Sequence, residues 1–189
     1  MRLGGVGLAV GLALVVGLLP HALAAQDDAA RDEAPPVDAT AEATCQPGIG
    51  CESHLPLPRY VSLKKSEGNA RRGPDTSHRI DWVFVREGMP LKVTAESGDW
   101  RRVEDPEGEG GWMLNILLSP ARTVLVTLDM AEIRAAPADD ARLVAQAEIG
   151  VIGQVLACTR DWCRIAMDGQ RGWMHKSTIW GVGPDETID

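Results

Sequence analysis

The sequence predicts an all-β protein: one small barrel built twice in tandem, following a signal peptide and a disordered linker. Three observations carry this. The pattern Asp-Trp-x-Arg-(Val/Ile) followed by Gly-Trp-Met occurs twice, as Asp99-Trp100-Arg101-Arg102-Val103 with Gly111-Trp112-Met113 and as Asp161-Trp162-Cys163-Arg164-Ile165 with Gly172-Trp173-Met174. An offset of about sixty residues means two copies of one small unit. Between these motifs the chain runs in short β-prone segments broken by Gly and Pro, with no long helical period.

Taken in order, residues 1–24 form the signal peptide. Arg2 precedes an apolar run from Gly4 to Leu19, and Ala22-Leu23-Ala24 places small residues at a cleavage site. An uncleaved anchor is the competing reading, but the run is short and rich in Gly. No other stretch is long enough to span a bilayer, so no stable membrane anchor is expected after cleavage. Residues 25–54 read as an acidic linker of Ala, Asp, Glu and Pro without a periodic apolar face. Cys45 and Cys51 near its end can close a small loop in an oxidising compartment. Leu55-Pro56-Leu57-Pro58 follows an extended path, either as a ligand for another protein or packed on its own domain.

Residues 55–120 form the first repeat. Tyr60-Val61-Ser62-Leu63 is a strand, and Gly68 to Arg72 is another that ends in the turn Gly73-Pro74. Trp82-Val83-Phe84-Val85 is a third, and Leu91 to Ala95 alternates as a half-buried strand does. Trp100 to Val103 and Gly111 to Leu114 are the motif strands, joined by an acidic loop. Residues 121–183 repeat the plan, with Arg134 opposite Arg71, Pro137 opposite Pro74, and Leu143-Val144-Ala145 in place of Trp82-Val83-Phe84. Residues 184–189 are a polar tail. Units of this size are near the lower limit for an independent core, and closing each into a barrel removes open edges.

Asn69-Ala70-Arg71-Arg72-Gly73-Pro74, followed by Gly98-Asp99-Trp100 and Gly111-Trp112-Met113, resembles the signature of bacterial SH3-like (SH3b) domains. The second copy departs from it, with Glu132 for Asn69 and Ala136 for Gly73. The resemblance implies small, partly open β-barrels that serve exported bacterial proteins as wall-targeting or protein-binding modules.

The composition bounds the chemistry. The 189 residues carry a formal net charge of −8, which argues against general nucleic-acid binding, since that needs a basic face. Six Trp stand beside one Tyr and one Phe. The repeated Trp100, Trp112, Trp162 and Trp173 read either as a stacking platform for sugars or peptides, or, the reading we favour, as anchors in a small core. Trp82 and Trp180 lack a Trp counterpart in the other copy and are candidates for an interface between the domains or with a partner. Arg71 and Arg134 are candidates for an anionic ligand such as a wall carboxylate, or for a salt bridge within each domain. Cys158 and Cys163 bracket a four-residue turn, which sets them across from each other for a disulfide; Glu96 and Arg101 hold the same positions in the first copy as an opposite-charge pair.

Catalysis has little support. His54, His78 and His175 fit no zinc-protease pattern, no nucleophile elbow or phosphate loop occurs, and Cys51 near His54 is the one hint of a hydrolase. No metal site and no cofactor are expected, because C-x4-C is not a usual zinc spacing. The expectation is an exported (periplasmic or extracellular) non-enzymatic protein that binds peptidoglycan. The alternative is an adaptor for an envelope protein.

Overall fold

The computed structural model describes residues 45–189. The expected signal peptide and the linker as far as Thr44 lie outside the described residues. The first sheet contains β1 (Arg59–Leu63), β2 (Gly68–Arg71), β3 (Ile80–Phe84), β4 (Pro90–Ser97), β5 (Trp100–Glu104), β6 (Gly110–Leu114) and β7 (Leu118–Ser119). The second contains β8 (Thr123–Val126), β9 (Ala131–Arg134), β10 (Leu143–Ala147), β11 (Ile152–Cys158), β12 (Trp162–Met167), β13 (Gln170–His175) and β14 (Ile179–Trp180). Their orders are β3-β2-β6-β5-β4-β1-β7 and β10-β9-β13-β12-β11-β8-β14, the same path taken twice, with antiparallel pairing. The repeated pattern in the sequence is therefore a repeat of topology.

Neither barrel closes. Each ladder ends at β3 or β10 on one side and at the two-residue β7 or β14 on the other. So short a last strand pairs with β1 or β8 and cannot also bridge to the far edge. Each unit has its own core. Leu63, Phe84, Leu91, Val93, Val103 and Met113 fill the first. Val124, Ile133, Val155, Ile165, Met174 and Ile179 are among those that fill the second, with Cys158 and Cys163 buried beside them.

The β4–β5 and β11–β12 hairpins carry matching bulges, after Val93 and after Val155. Cys158 faces Cys163 in the second hairpin, with Cα atoms 4.1 Å apart and a disulfide between them. Glu96 faces Arg101 in the first, and the Arg101 Nε lies 3.3 Å from the Glu96 carboxylate. One structural position is thus closed covalently in one domain and by charge in the other, as the aligned sequences predict.

The two domains meet along a tight seam. The rings of Tyr60 and Trp180 pack edge to face at 5.2 Å, and the Arg122 guanidinium lies over Tyr60. Thr123 Oγ1 donates to the carbonyl of Gly88 and Arg86 donates to that of Gly150, each at 2.7 Å. Trp180 is therefore an interdomain contact.

Two segments differ from expectation. Residues 45–54, assigned above to the linker, are ordered: a Cys45–Cys51 disulfide closes the loop, Ile49 bridges to Pro56, and Leu57 packs on the first core. The acidic composition upstream does not extend into this segment, whose Glu52 and Ser53 amides find a carboxylate partner in Glu96. The Leu-Pro stretch accordingly packs on its own domain. The tail also folds back, because Ile188 exchanges backbone hydrogen bonds with Cys158 and Glu186 pairs with Arg122.

The Cys158–Cys163 bridge closes a loop with a sequence separation of 5, for which chain entropy gives about 2 kcal/mol of stabilisation. Replacing both cysteines by Ser should lower the stability of the chain by about that amount. Urea unfolding checks this, and an unchanged midpoint would mean the bridge contributes nothing.

Candidate functional site

The repeated motif builds the same surface on each domain. Strand residues alternate between faces. Val103 of β5, Met113 of β6 and Ala70 of β2 point into the first core and are fully buried. Their neighbours Arg102, Trp112 and Arg71 are thereby turned outward. The register lines them up: Ala95 faces Arg102, Arg102 faces Trp112, and Trp112 faces Arg71. In the second domain Ala157 faces Arg164, Arg164 faces Trp173, and Trp173 faces Arg134. Each domain thus carries an Arg–Trp–Arg row across three adjacent strands. With strands about 4.8 Å apart, the outer two positions of a row are separated by roughly 10 Å.

The glycine of Gly-Trp-Met makes the row possible. A Cβ on Gly111 would lie 2.5 Å from the carbonyl oxygen of Arg71, and one on Gly172 would lie 2.7 Å from that of Arg134. Only Gly lets β6 and β13 come this close to β2 and β9, which sets each Trp beside its Arg.

The four arginines are held differently. Arg71 Nη1 donates to the carbonyl of His78 and Arg134 Nη1 to that of Ala141, each at 2.7 Å and each seven residues ahead. Both arginines therefore brace the loop that follows their strand. Arg134 also pairs with Glu132, whereas Arg71 has no ion pair among the described residues. A guanidinium has five N–H donors, so this bracing leaves donors available. Arg102 and Arg164 are exposed, and their side chains have no hydrogen-bond or ion-pair partner among the described residues. In a chain of net charge −8, each row is a local cationic strip with an indole at its centre. Such an arrangement can stack a sugar or planar group on the indole and pair a carboxylate with a flanking guanidinium.

The favoured sequence reading of the repeated Trp needs correction. Trp100, Trp112, Trp162 and Trp173 are half-buried on the outer faces and belong to neither core. The two-residue period is the reason, because Arg101, Cys163 and the two Met occupy the inward positions. Trp162 is capped edge-on by the His175 ring at 5.2 Å, and Leu114 faces Trp100 at the matching place. Trp82 stands apart, exposed on edge strand β3 with its ring against Phe84. Arg102 and Arg164 were missed by the sequence reasoning. They sit inside the repeated motif, and the alternation with Val103 and Ile165 already turned them outward.

Beneath the first hairpin lies a buried charge cluster. The Glu96 carboxylate is wholly buried and accepts from the Ser53 hydroxyl at 2.7 Å, the Ser53 and Glu52 amides, and Arg59 Nη2 at 2.7 Å. Burial alone pushes its pKa up, but the Ser53, Arg59 and Glu52 hydrogen bonds together outweigh it and hold the carboxyl down at about 2. Among the described residues every cysteine is disulfide-bonded, so Cys51 offers no thiolate to His54. No group of three or more His, Cys, Asp or Glu that could hold a metal occurs among the described residues.

A fold of paired SH3-like sheets with matching outer faces defines a class, and sequence comparison agrees. The family model of the bacterial SH3 domain matches residues 64–120 and again 128–181. The chain belongs to the bacterial SH3 domain family and carries two tandem copies. Over 138 residues, 67% of this chain, it is 23% identical to YrvJ of Bacillus subtilis (strain 168), named as an N-acetylmuramoyl-L-alanine amidase. The chain spans about a quarter of that relative, 26% of its length. Among solved structures, NlpC1 and NlpC2 from Trichomonas vaginalis match at TM-scores of 0.32 and 0.31, each at 13% identity. They cover 71% and 65% of this chain and 50% and 48% of their own; superpositions this loose carry no weight.

The Glu96 cluster sets a pH dependence. A carboxylate whose folded pKa is depressed stabilises the fold above its unfolded pKa, and that contribution is lost as pH falls through the folded pKa. The stability gap between wild type and Glu96→Gln should be constant above about pH 4.5 and shrink as pH falls from 4.5 towards 2. Urea unfolding across that range checks it, and a gap that does not narrow would contradict it.

Proposed function

We propose that this chain is an exported, non-enzymatic binding module that recognises peptidoglycan through its two Arg–Trp–Arg rows. The observation that carries the reading is repetition: Arg71–Trp112–Arg102 and Arg134–Trp173–Arg164 occupy matching register positions in two otherwise diverged domains. Cell-wall glycopeptide offers both chemistries that a row can engage, sugar rings for the indole and carboxylates for the guanidinium groups. Two disulfides support an oxidising compartment. The relative named for an N-acetylmuramoyl-L-alanine linkage supports a wall context for the shared module. Two weak sites on one chain give avidity on a polymeric ligand, because the second contact forms at high effective concentration.

The second reading, an adaptor for an envelope protein, rests on strand β3. This sheet edge leaves Ile80, Trp82, Val83 and nearby Val85 exposed, and such an edge can accept a partner strand.

Co-sedimentation of the full-length mature chain with purified sacculi tests the reading. Wild type should be retained at low and moderate salt. Arg102→Ala with Arg164→Ala should weaken retention by about tenfold or more, since both sites lose a cation, while Trp82→Ser should leave it unchanged. No retention at either salt, or a double variant retained like wild type, would contradict the wall reading. A partner crosslinked through Trp82 in the absence of wall binding would support the adaptor.

A further inference from the structure

The second domain binds a piece of its own chain in a groove that, among the described residues, stays open in the first domain. The strand registers make Arg59 and Arg122 equivalent: Arg59 faces Val93, and the amide of the matching Val155 donates to the carbonyl of Arg122. Asn115 and Lys176 are equivalent as well, because each opens a 3-10 turn and each amide donates to the backbone carbonyl of the aspartate in the repeated motif, Asp99 or Asp161.

In the second domain these two positions hold the C-terminal segment. Arg122 clasps the Glu186 carboxylate with both terminal nitrogens, at 2.5 and 2.9 Å. Lys176 Nζ donates to the carbonyls of Gly183, Pro184 and Glu186. The amide of Gly183 donates to Glu186 as well. The Arg122 hydrogen bonds, opposed by burial and helped by Gly183, hold the Glu186 carboxyl below its usual range.

In the first domain the same place is a pocket of about 270 Å³, lined by Leu55, Arg59, Tyr60, Arg101, Asn115 and Ser119 among others. The chain beyond Pro120 runs into β8 instead of turning back, so none of the described segments fills it as the tail fills the second groove. The lining contains two arginines and no carboxylate. Behind it, Arg59 and Arg101 share the single Glu96 carboxylate, which leaves one positive charge over. Arg59 Nη1 is buried and has no acceptor among the described residues. Water can satisfy that hydrogen bond but cannot balance the charge, whereas a carboxylate does both.

We propose that the first domain's Arg59–Asn115 groove binds an acidic peptide segment in trans, in the manner in which the second domain's Arg122 and Lys176 hold Gly183 to Glu186. The ligand class is an extended peptide with one carboxylate directed at Arg59 and backbone carbonyls directed at Asn115. This site lies away from the Arg–Trp–Arg rows and stands independently of the wall reading.

The test titrates the full-length mature chain with an acetylated peptide of the sequence of residues 183–189, following backbone amide resonances by NMR. The chain's own tail keeps the second groove filled, because a tethered segment outcompetes one added in solution. Shifts are expected at Tyr60, Asn115 and Ser119, with affinity reduced about tenfold when Gln replaces the glutamate of the peptide. Arg59→Gln should abolish the shifts. Because that change also disturbs the Glu96 cluster, Asn115→Lys serves as a gain-of-function variant: by copying Lys176 it should tighten binding severalfold. The proposal is overturned if these residues do not shift, if the Glu and Gln peptides bind equally, or if Asn115→Lys leaves affinity unchanged. Loss of wall binding with these shifts intact would leave this proposal standing and remove only the wall reading.

Discussion

Alternation along short strands is the constraint on which the rest of the structure depends. A unit of this size has room for one layer of inward side chains, and Ala70, Val103 and Met113 are among those that fill it in the first domain. Every second residue must then face outward, and Arg71, Arg102 and Trp112 are those residues. The same division holds in β9, β12 and β13. A large indole outside the core exposes apolar surface that the packing of the core does not require. Two copies stand on register-matched rows, each flanked by arginines, and the proposed recognition role would give that exposure a use.

One scaffold position serves different ends in the two copies. The end of the long hairpin is closed by a disulfide in the second domain and by Glu96 with Arg101 in the first. The ionic version brings consequences that the covalent one does not. A buried carboxylate requires full hydrogen bonding, and Glu52 and Ser53, just after the Cys45–Cys51 loop, supply it together with Arg59. The ordered N-terminal loop, the Glu96 cluster and the open groove beside Arg59 therefore belong together. Domain two needs none of them, because its disulfide carries no charge and its tail fills the groove.

Much of this was legible in the chain. The all-β class, the tandem repeat and the facing of Cys158 with Cys163 followed from spacing and turn chemistry, as did the charge pair at Glu96 and Arg101. The location of the repeated Trp did not. A Trp in a small domain is usually a core residue, whereas the alternation in Trp112-Met113 and Arg102-Val103 places Met113 and Val103 inward and their neighbours outward. Arg102 and Arg164 were overlooked for the same reason. The fold-back of residues 45–54 and of the tail could not be read, since both depend on pairing with distant residues, Glu96 and Arg122.

The central claim is that the outer indoles of the two rows meet the ligand. The most direct measurement follows the six indole N–H resonances of the mature chain during titration with soluble muropeptides. Trp112 and Trp173 should shift together and saturably, while Trp180, packed on Tyr60 at the domain seam, and Trp82, on the β3 edge, stay in place. Shifts confined to Trp82, or none at Trp112 and Trp173, would contradict the account.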